Sequence, residues 1–137
     1  MLTWQTRRRW WTRPTSPSRS RRTASWCSAA GGEIERVTAA LVLATTRADV
    51  NTTIRKSLDV RKASFMQMER AVTETAMEFG GITPVGLPAD WPVLVDSRVV
   101  EAARVVIGSG IRGSKLRLPG ASVARLPGVR VVKGLAR

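Results

Sequence analysis

The chain has 137 residues, a formal net charge of +13, no His and a single Cys, Cys27. This length fits one domain with one modest core. The lack of His excludes a Ser-His-Asp triad and a Cys-His pair, and a lone Cys excludes an internal disulfide and the usual zinc sites. We therefore expect no metal and no cofactor, and any catalysis must use other groups.

The same composition bears on location. No run of 18 or more apolar residues is present, so we expect no membrane span. The basic amino terminus is not followed by the apolar stretch of a secretory signal. These features predict a soluble, cytoplasmic protein.

Residues 1–30 differ in character from the rest. They hold seven Arg, no acidic residue and four of the five Trp, so they supply +7 of the net charge and leave +6 for the remainder. They show neither helical nor strand periodicity. The sequence therefore predicts a basic non-core arm over 1–30 and one folded domain over 31–137, whose amino-terminal part is either missing or disordered.

Three interpretations of this arm remain open. It is a disordered basic arm that holds RNA phosphate, an organellar transit peptide, or a segment translated out of frame. Pro14 and Pro17 count against the transit peptide because they break an amphipathic helix. In the neighbouring frame, GC-rich codons for residues 21–27 permit Ser-Ala-Asn-Cys-Val-Val-Val, a plausible buried strand.

The first regular signals follow residue 31. Residues 37–45 form a nearly continuous apolar run, which predicts a buried central strand. Thr46 with Asp49 resembles a helix-capping pair, and Val50, Ile54 and Leu58 then recur every four residues. This spacing predicts a helix over about 48–58.

The remaining elements alternate between strands and helices. A short strand is predicted at 62–65, followed by a helix whose buried face carries Met68, Val72, Thr75, Ala76 and Phe79 and which ends at Gly80-Gly81. Strands are then predicted at 92–95, 104–107, 115–118 and 129–132, with short helices near 97–103 and 120–126. The fold class is α/β, a single mixed-sheet domain with short flanking helices.

The glycine-rich stretch 80–86 is the first candidate for chemistry. Its glycines permit close backbone approach, and Pro84 stiffens the loop between them. Such a loop can direct several N–H groups at one oxygen, which is what stabilising an oxyanion requires. A tight helix-to-strand connection explains the same residues equally well.

Two further segments carry polar candidates. Asp96 ends an apolar strand and precedes a short helix, where its carboxylate is expected to act as the cap, with Ser97 beside it. The turn 108–110 is followed by Arg112 and Lys115, an arrangement suited to a phosphate or ribose. A hairpin with solvated basic residues is the alternative, and the glycine spacing is not that of a Walker loop.

The order of these segments resembles the YbaK/ProX family of aminoacyl-tRNA editing domains, over about residues 31–137. It consists of Gly80-Gly81-Ile82-Thr83-Pro84-Val85-Gly86, the strand 92–96 that ends in Asp96, and the stretch 107–116, which contains a second glycine loop. The resemblance implies catalytic roles for Gly80, Gly81 and Asp96. It implies substrate binding by Thr83, Pro84, Gly86, Ser97, Ser109, Gly110, Arg112 and Lys115.

The resemblance also implies a reaction and partners. Family members hydrolyse the ester of a wrongly attached amino acid, often Ala or Cys on proline tRNA. Aminoacylated tRNA and a prolyl-tRNA synthetase are the implied partners. Such a mechanism uses backbone donors and water, which is compatible with a chain that lacks His.

One residue that many family members use has no counterpart in this chain. Many members hold the substrate with a lysine on an amino-terminal element, and no Lys precedes Gly31 in this chain. One wall of the pocket is therefore expected to be missing or altered. Two functions remain open, an aminoacyl-tRNA deacylase, crippled or not by its amino terminus, and a non-catalytic tRNA-binding module. A weaker third alternative is an RNA-independent scaffold that only retains the fold.

Overall fold

The computed structural model describes the backbone of residues 21–30 and the whole of residues 35–137. In this part of the chain, seven strands and four short α-helices form a mixed α/β fold. The strands are β1 (Arg21–Ala30), β2 (Arg36–Leu43), β3 (Ser64–Phe65), β4 (Val93–Asp96), β5 (Val105–Gly108), β6 (Lys115–Leu118) and β7 (Val129–Val132). The helices are α1 (Arg55–Leu58), α2 (Met68–Thr75), α3 (Ser97–Glu101) and α4 (Gly120–Val123), and a π-helical turn (Val50–Ile54) leads into α1.

The strands form one mixed sheet in the order β6-β5-β1-β2-β4-β7, with β3 paired to β1 beside this path. β1 runs antiparallel to β2 and parallel to β5, while β2, β4 and β7 run parallel to one another. β5 and β6 form an antiparallel pair. The predicted mixed-sheet class is therefore confirmed, and β6 and β7 are the two edges of the path.

The sheet buries both faces because its central strands are apolar on both sides. On one face, alternate residues of β2 and β4 pack against the helical segment that ends in α1 and against the carboxyl-terminal tail. On the other face, the intervening residues pack against α3 and α4. The second cluster contains Ala39, Leu41, Leu43, Val93, Val95, Val99, Val105, Ile107 and Val123.

A third apolar cluster lies beneath the first glycine loop. It joins Met66 to Ala71, Met77, Ile82 and Trp91. Met66 is buried and Met68 packs against the same group, which agrees with their expected role as core residues. This cluster gives the loop a fixed apolar base.

The predicted arm over 1–30 differs from the structure in part. The backbone of Arg21–Ala30 forms β1, which lies between β5 and β2 in the sheet. Strand pairing uses backbone groups, so a segment without a clear apolar alternation still forms a ladder when partners flank it on both sides. Residues 1–20 and 31–34 lie outside the described residues, and with them most of the predicted arm.

Two details of the predicted helices are corrected. The cap of the first helical segment is Asp49, whose Oδ1 accepts from the Thr52 N–H at 3.2 Å, whereas the Thr46 hydroxyl donates to the Leu43 carbonyl. α2 ends at Thr75, since Ala76 adopts a left-handed φ of 56°. Phe79 is therefore off the helix and 45% exposed, which makes its predicted place on the buried face wrong.

Candidate functional site

The two glycine loops predicted from the sequence pack directly against each other. The first glycine loop comprises residues 80–86 and the second comprises residues 108–114. The Gly110 N–H donates to the Gly81 carbonyl at 2.7 Å, and the Glu78 N–H donates to the Gly110 carbonyl at 2.9 Å. Two segments distant in sequence thus form one backbone-built unit.

The packing between the loops leaves no room for a side chain at two positions. A Cβ at Gly81 would lie 2.4 Å from the Ile111 carbonyl carbon, and one at Gly108 would lie 2.3 Å from the Ile82 carbonyl oxygen. Both neighbours are backbone atoms, which cannot rotate away. These glycines therefore permit the close approach of the two loops.

Glu78 joins the loops through side chain and backbone. Its Oε2 accepts from the Arg112 N–H at 2.8 Å, and its carbonyl accepts from the Gly81 N–H at 2.9 Å. Sequence reasoning missed this residue, because nothing in its neighbourhood indicates a partner 34 positions away. It positions the site without itself lying in either glycine loop.

These contacts change the role expected for Gly81. Its N–H is donated to Glu78, and the Thr83 N–H points to the Met77 sulfur at 3.4 Å. Neither amide is directed outward, so Gly81 and the buried Thr83 serve the loop's own structure, as does the buried Pro84. An oxyanion donor in this loop would therefore have to come from another position.

The tip of the first loop offers such a donor. Gly86 is exposed, adopts a φ of +78°, and its N–H has no hydrogen-bond acceptor among the described residues. Val85 beside it is 40% exposed, and the Val85 N–H makes only a long contact of 3.4 Å to the Thr83 hydroxyl. The accessible amides lie at the tip around Gly86.

Two cations flank the base of the first loop. The Lys115 Nζ donates to the Gly80 carbonyl at 2.8 Å, and a Cβ at Gly80 would lie 3.6 Å from the Arg112 Cγ. Partial burial of the ammonium, and then the neighbouring Arg112 guanidinium, hold the pKa of Lys115 below its ordinary value. The structure thus brings Gly80, Arg112 and Lys115 together, as expected.

The hydroxyl in the second loop has an internal role. Ser109 Oγ lies within hydrogen-bonding distance of the Ser114 carbonyl, at 3.0 Å, and of the Ile111 carbonyl, at 3.3 Å. These contacts close the turn around Gly110. Ser109 therefore shapes the loop that carries Arg112.

Asp96 lies apart from this loop pair. Its carboxylate is 1% exposed, Oδ1 accepts from the Arg98 N–H at 2.8 Å, and Oδ2 accepts from the Ala136 N–H at 2.9 Å. Two strands, β1 and β2, separate β4 from β5 in the sheet. The predicted cap is confirmed, and the second oxygen holds the carboxyl-terminal tail.

The same contacts separate Ser97 from the loops, because it is the first residue of α3 and follows Asp96 directly. The structure therefore places Asp96 and Ser97 in one region. It brings together the other candidates, which are Gly80, Gly81, Thr83, Pro84, Gly86, Ser109, Gly110, Arg112 and Lys115, in the loop pair.

Among the described residues, no group of three or more Cys, Asp or Glu side chains lies close enough together to hold a metal ion. None of the helices in the same part of the chain has the length and apolar character needed to cross a bilayer.

Comparisons with known proteins give one family. The model of the aminoacyl-tRNA editing domain matches residues 27–126, which include the first glycine loop and the second. A search of curated proteins finds no match.

Solved structures of similar fold agree with this match. The hypothetical protein APE2540 superposes with a TM-score of 0.76 at 18% identity, over 88% of this chain and 77% of its own. A candidate trans-editing enzyme for prolyl tRNA synthetase gives 0.68 at 19% identity, over 82% of this chain and 68% of its own. At these identities the likeness shows the fold.

Proposed function

Because the chain belongs to the family of aminoacyl-tRNA editing domains, we propose that it is an aminoacyl-tRNA deacylase. The proposed reaction is hydrolysis of the ester between a wrongly attached amino acid and the 3′-terminal ribose of tRNA. The observation that carries the proposal is the loop pair, in which a fixed backbone presents an exposed amide and two cations on one unit.

In the proposed reaction, water adds to the ester carbonyl carbon and forms a tetrahedral oxyanion. The bond between that carbon and the ribose oxygen then breaks. One proton of the attacking water goes to the ribose oxygen and the other is released to solvent, so the amino acid leaves as its carboxylate. The neighbouring hydroxyl of the terminal ribose is placed to orient the water, so no ionising side chain of the protein is required.

The Gly86 N–H is the donor proposed for the oxyanion, because it lies at the exposed tip. A donor that is fixed before the reaction lowers the barrier, and removing one typically costs about 10²–10³ in rate. The first loop is fixed by the apolar cluster beneath it and by the second loop. The protein's contribution is therefore preorganised backbone.

Arg112 and Lys115 are proposed to hold the phosphate and ribose next to the ester. Lys115 donates to the Gly80 carbonyl and the Arg112 side chain lies next to Gly80, and these contacts fix where a phosphate would lie relative to the loop. Charge-assisted contacts to phosphate oxygens are strong and depend on salt. Substrate affinity should therefore fall steeply with ionic strength.

We propose Ala or Cys on proline tRNA as the substrates and a prolyl-tRNA synthetase as the partner in the cytoplasm. The fold likeness to a candidate trans-editing enzyme for prolyl tRNA synthetase supports this choice. A synthetase pocket rejects smaller amino acids poorly, so a second site that hydrolyses them improves fidelity. The reaction removes the error after tRNA charging.

Single-turnover deacylation tests the proposal. Proline tRNA charged with Ala, with Cys or with Pro is mixed with excess protein, and loss of the ester is followed over time. We expect faster loss of Ala or Cys than in buffer, with Pro spared. Intact esters on all three, together with salt-sensitive tRNA binding, would instead assign a non-catalytic tRNA-binding module.

A matched pair of variants tests whether the Gly86 N–H is the oxyanion donor. Gly86→Ala and Gly134→Ala both place Ala at a positive φ, +78° and +71°, and neither Cβ meets an atom within 4 Å. Both should lose similar stability, about 1 kcal/mol. Only Gly86→Ala should slow deacylation, by at least about 10-fold, because it moves the proposed donor. Equal rates for the two variants would remove Gly86 from the mechanism.

A further inference from the structure

The exposed apolar side chains of the described residues are concentrated at the loop pair. In the described part of the chain, five large hydrophobic residues are exposed, and four of them belong to the glycine loops or to the residues next to them. These four are Phe79, Val85, Ile111 and Leu116, while the fifth, Val131, lies on the edge strand β7. Exposed apolar side chains that are grouped in this way mark a candidate binding surface.

Phe79 is the aromatic member of this surface. Among residues 35–137 the aromatic side chains are Phe65, Phe79 and Trp91. Phe65 packs against a core cluster and Trp91 is 7% exposed, whereas Phe79 is 45% exposed. The early end of α2 places it outside the helix. Phe79 is therefore the exposed aromatic side chain of this part of the chain, and it lies next to a glycine loop.

Two cationic side chains lie next to Gly80, the residue that follows Phe79. Gly80 accepts from the Lys115 Nζ and lies against the Arg112 side chain. Lys115 and Arg117 occupy alternate positions of β6 and share a face of that strand. Both residues are exposed. Phosphate groups on either side of a stacked base would meet these charges.

We propose that Phe79 is a stacking platform for an unpaired base of single-stranded RNA, held in place by Arg112, Lys115 and Arg117 on the flanking phosphates. Aromatic side chains combined with a basic track are the usual means of holding single-stranded nucleic acid. This inference rests on the proposed function, since it assigns the platform to the unpaired 3′ nucleotides of the tRNA substrate. The base next to the terminal adenosine would stack on Phe79 while the ester reaches the loop tip.

The test uses a short RNA with the tRNA 3′-end sequence and no amino acid, labelled at its 5′ end for fluorescence anisotropy. The full chain is compared with Phe79→Ala, Phe79→Leu, Phe79→Trp and the control Val131→Ala, which removes an equally exposed apolar side chain at the opposite edge of the sheet. Phe79→Ala should weaken binding about 10-fold, a loss within the range for one stacked base.

The other variants decide the chemistry of the contact. Phe79→Trp should bind at least as tightly as the parent chain, Phe79→Leu should be as weak as Phe79→Ala, and Val131→Ala should bind normally. The salt dependence should stay unchanged in all four, because no charge is altered. Equal affinity for the Leu variant and the parent, or a loss under about twofold for Phe79→Ala, would overturn the platform.

The same data separate this inference from the proposed function. Phe79-dependent RNA binding without hydrolysis of any ester would leave the platform standing and overturn the deacylase. Hydrolysis that is unaffected by Phe79→Ala would support the deacylase and overturn the platform. Failure of the parent chain to bind the RNA would also overturn the platform. Thermal unfolding of each variant, expected to be near that of the parent, confirms that affinity is compared between folded proteins.

Discussion

The loop pair and the Asp96 region are built from the same kinds of residue but use them in opposite ways. Around Asp96, both carboxylate oxygens are buried and accept from Arg98 and Ala136. Around the glycine loops, backbone packs on backbone while the Gly86 tip, Arg112 and Lys115 face outward. The polar groups around Asp96 stabilise the fold, whereas those of the loop pair are exposed at the surface.

This difference gives a rule for strand-end carboxylates. The position of Asp96 at the end of a buried strand predicts a helix cap, whereas the family resemblance implies a catalytic role for it. Its second oxygen accepts from Ala136, 40 residues later, next to Leu135, which is fully buried. The Arg98 side chain donates to the Ala136 carbonyl as well. Asp96 therefore fastens the carboxyl-terminal tail, and we propose that its effect on catalysis is indirect.

The largest effect is expected for Gly81→Val. Its side chain would meet Ile111 backbone atoms at 2.4–2.8 Å already at Cβ, so the two loops would have to separate. Overpacking against backbone should cost at least about 3 kcal/mol of unfolding free energy. Urea denaturation measures this loss. The control is Gly113→Ala in the second loop, where nothing lies within 4 Å, and a comparable loss there would contradict the account.

The next largest effect is expected for Asp96→Ala. The change removes the cap of α3 and leaves the buried Ala136 N–H without an acceptor, which together should cost about 2–3 kcal/mol. Asp96→Asn keeps one acceptor oxygen and should cost less. The rate of deacylation per folded molecule should stay within about twofold of the parent, if Asp96 is only a fastening residue. A 100-fold slower rate in a folded Asp96→Asn protein would return it to the catalytic machinery.

A smaller effect is expected for Lys115→Met. Removing one phosphate contact should weaken tRNA binding and lower the slope of log affinity against log salt by about one. Arg130→Met, on the edge strand β7 at the other side of the sheet, is the matched control and should leave the slope nearly unchanged. Filter binding over a salt series gives both slopes. Identical slopes for the two variants would show that charge acts without regard to position.

The smallest effect is a pH dependence of that contact. The pKa of Lys115 is lowered by burial and by Arg112, so its charge is lost at a lower pH than that of an exposed lysine. Affinity for tRNA should therefore fall as the pH rises toward the ordinary lysine range, while Lys115→Met lacks this step. Folding stability should instead rise with pH over the same range. The reason is that burial penalises the charged form below the lowered pKa, and this penalty is relieved once the ammonium loses its proton. Parallel pH profiles for both proteins would contradict this assignment.

Much of the fold could be predicted because local patterns decided it. The strands β4, β5, β6 and β7 lie within one residue of their predicted positions, and the order of the glycine loops indicated the family. Other features did not follow from the local patterns. β1 is stabilised by partners on both sides, and the end of α2 is set at Ala76, which places Phe79 at the surface.

The sequence indicated the two glycine loops, but it indicated neither the roles of their residues nor the separate position of Asp96 and Ser97. Glycine spacing indicated loops, yet whether Gly81 supplies a donor or a close contact depends on Ile111, 30 positions away. Glu78 carries no sequence signal at all, because its acceptor role arises only when the second loop folds against it. Sequencing the coding DNA remains the test of the out-of-frame hypothesis for residues 1–30.

The most direct test of the account is an NMR titration with a non-hydrolysable alanyl-adenosine analogue. The amide signals of the first glycine loop around Gly86, and those of Arg112 and Lys115, should shift in proportion to occupancy. The amide signals of Arg98 and Ala136, which are hydrogen-bonded to Asp96, should stay in place. Shifts centred on Arg98 and Ala136, with the Gly86 region unmoved, would contradict the account and place the site at Asp96.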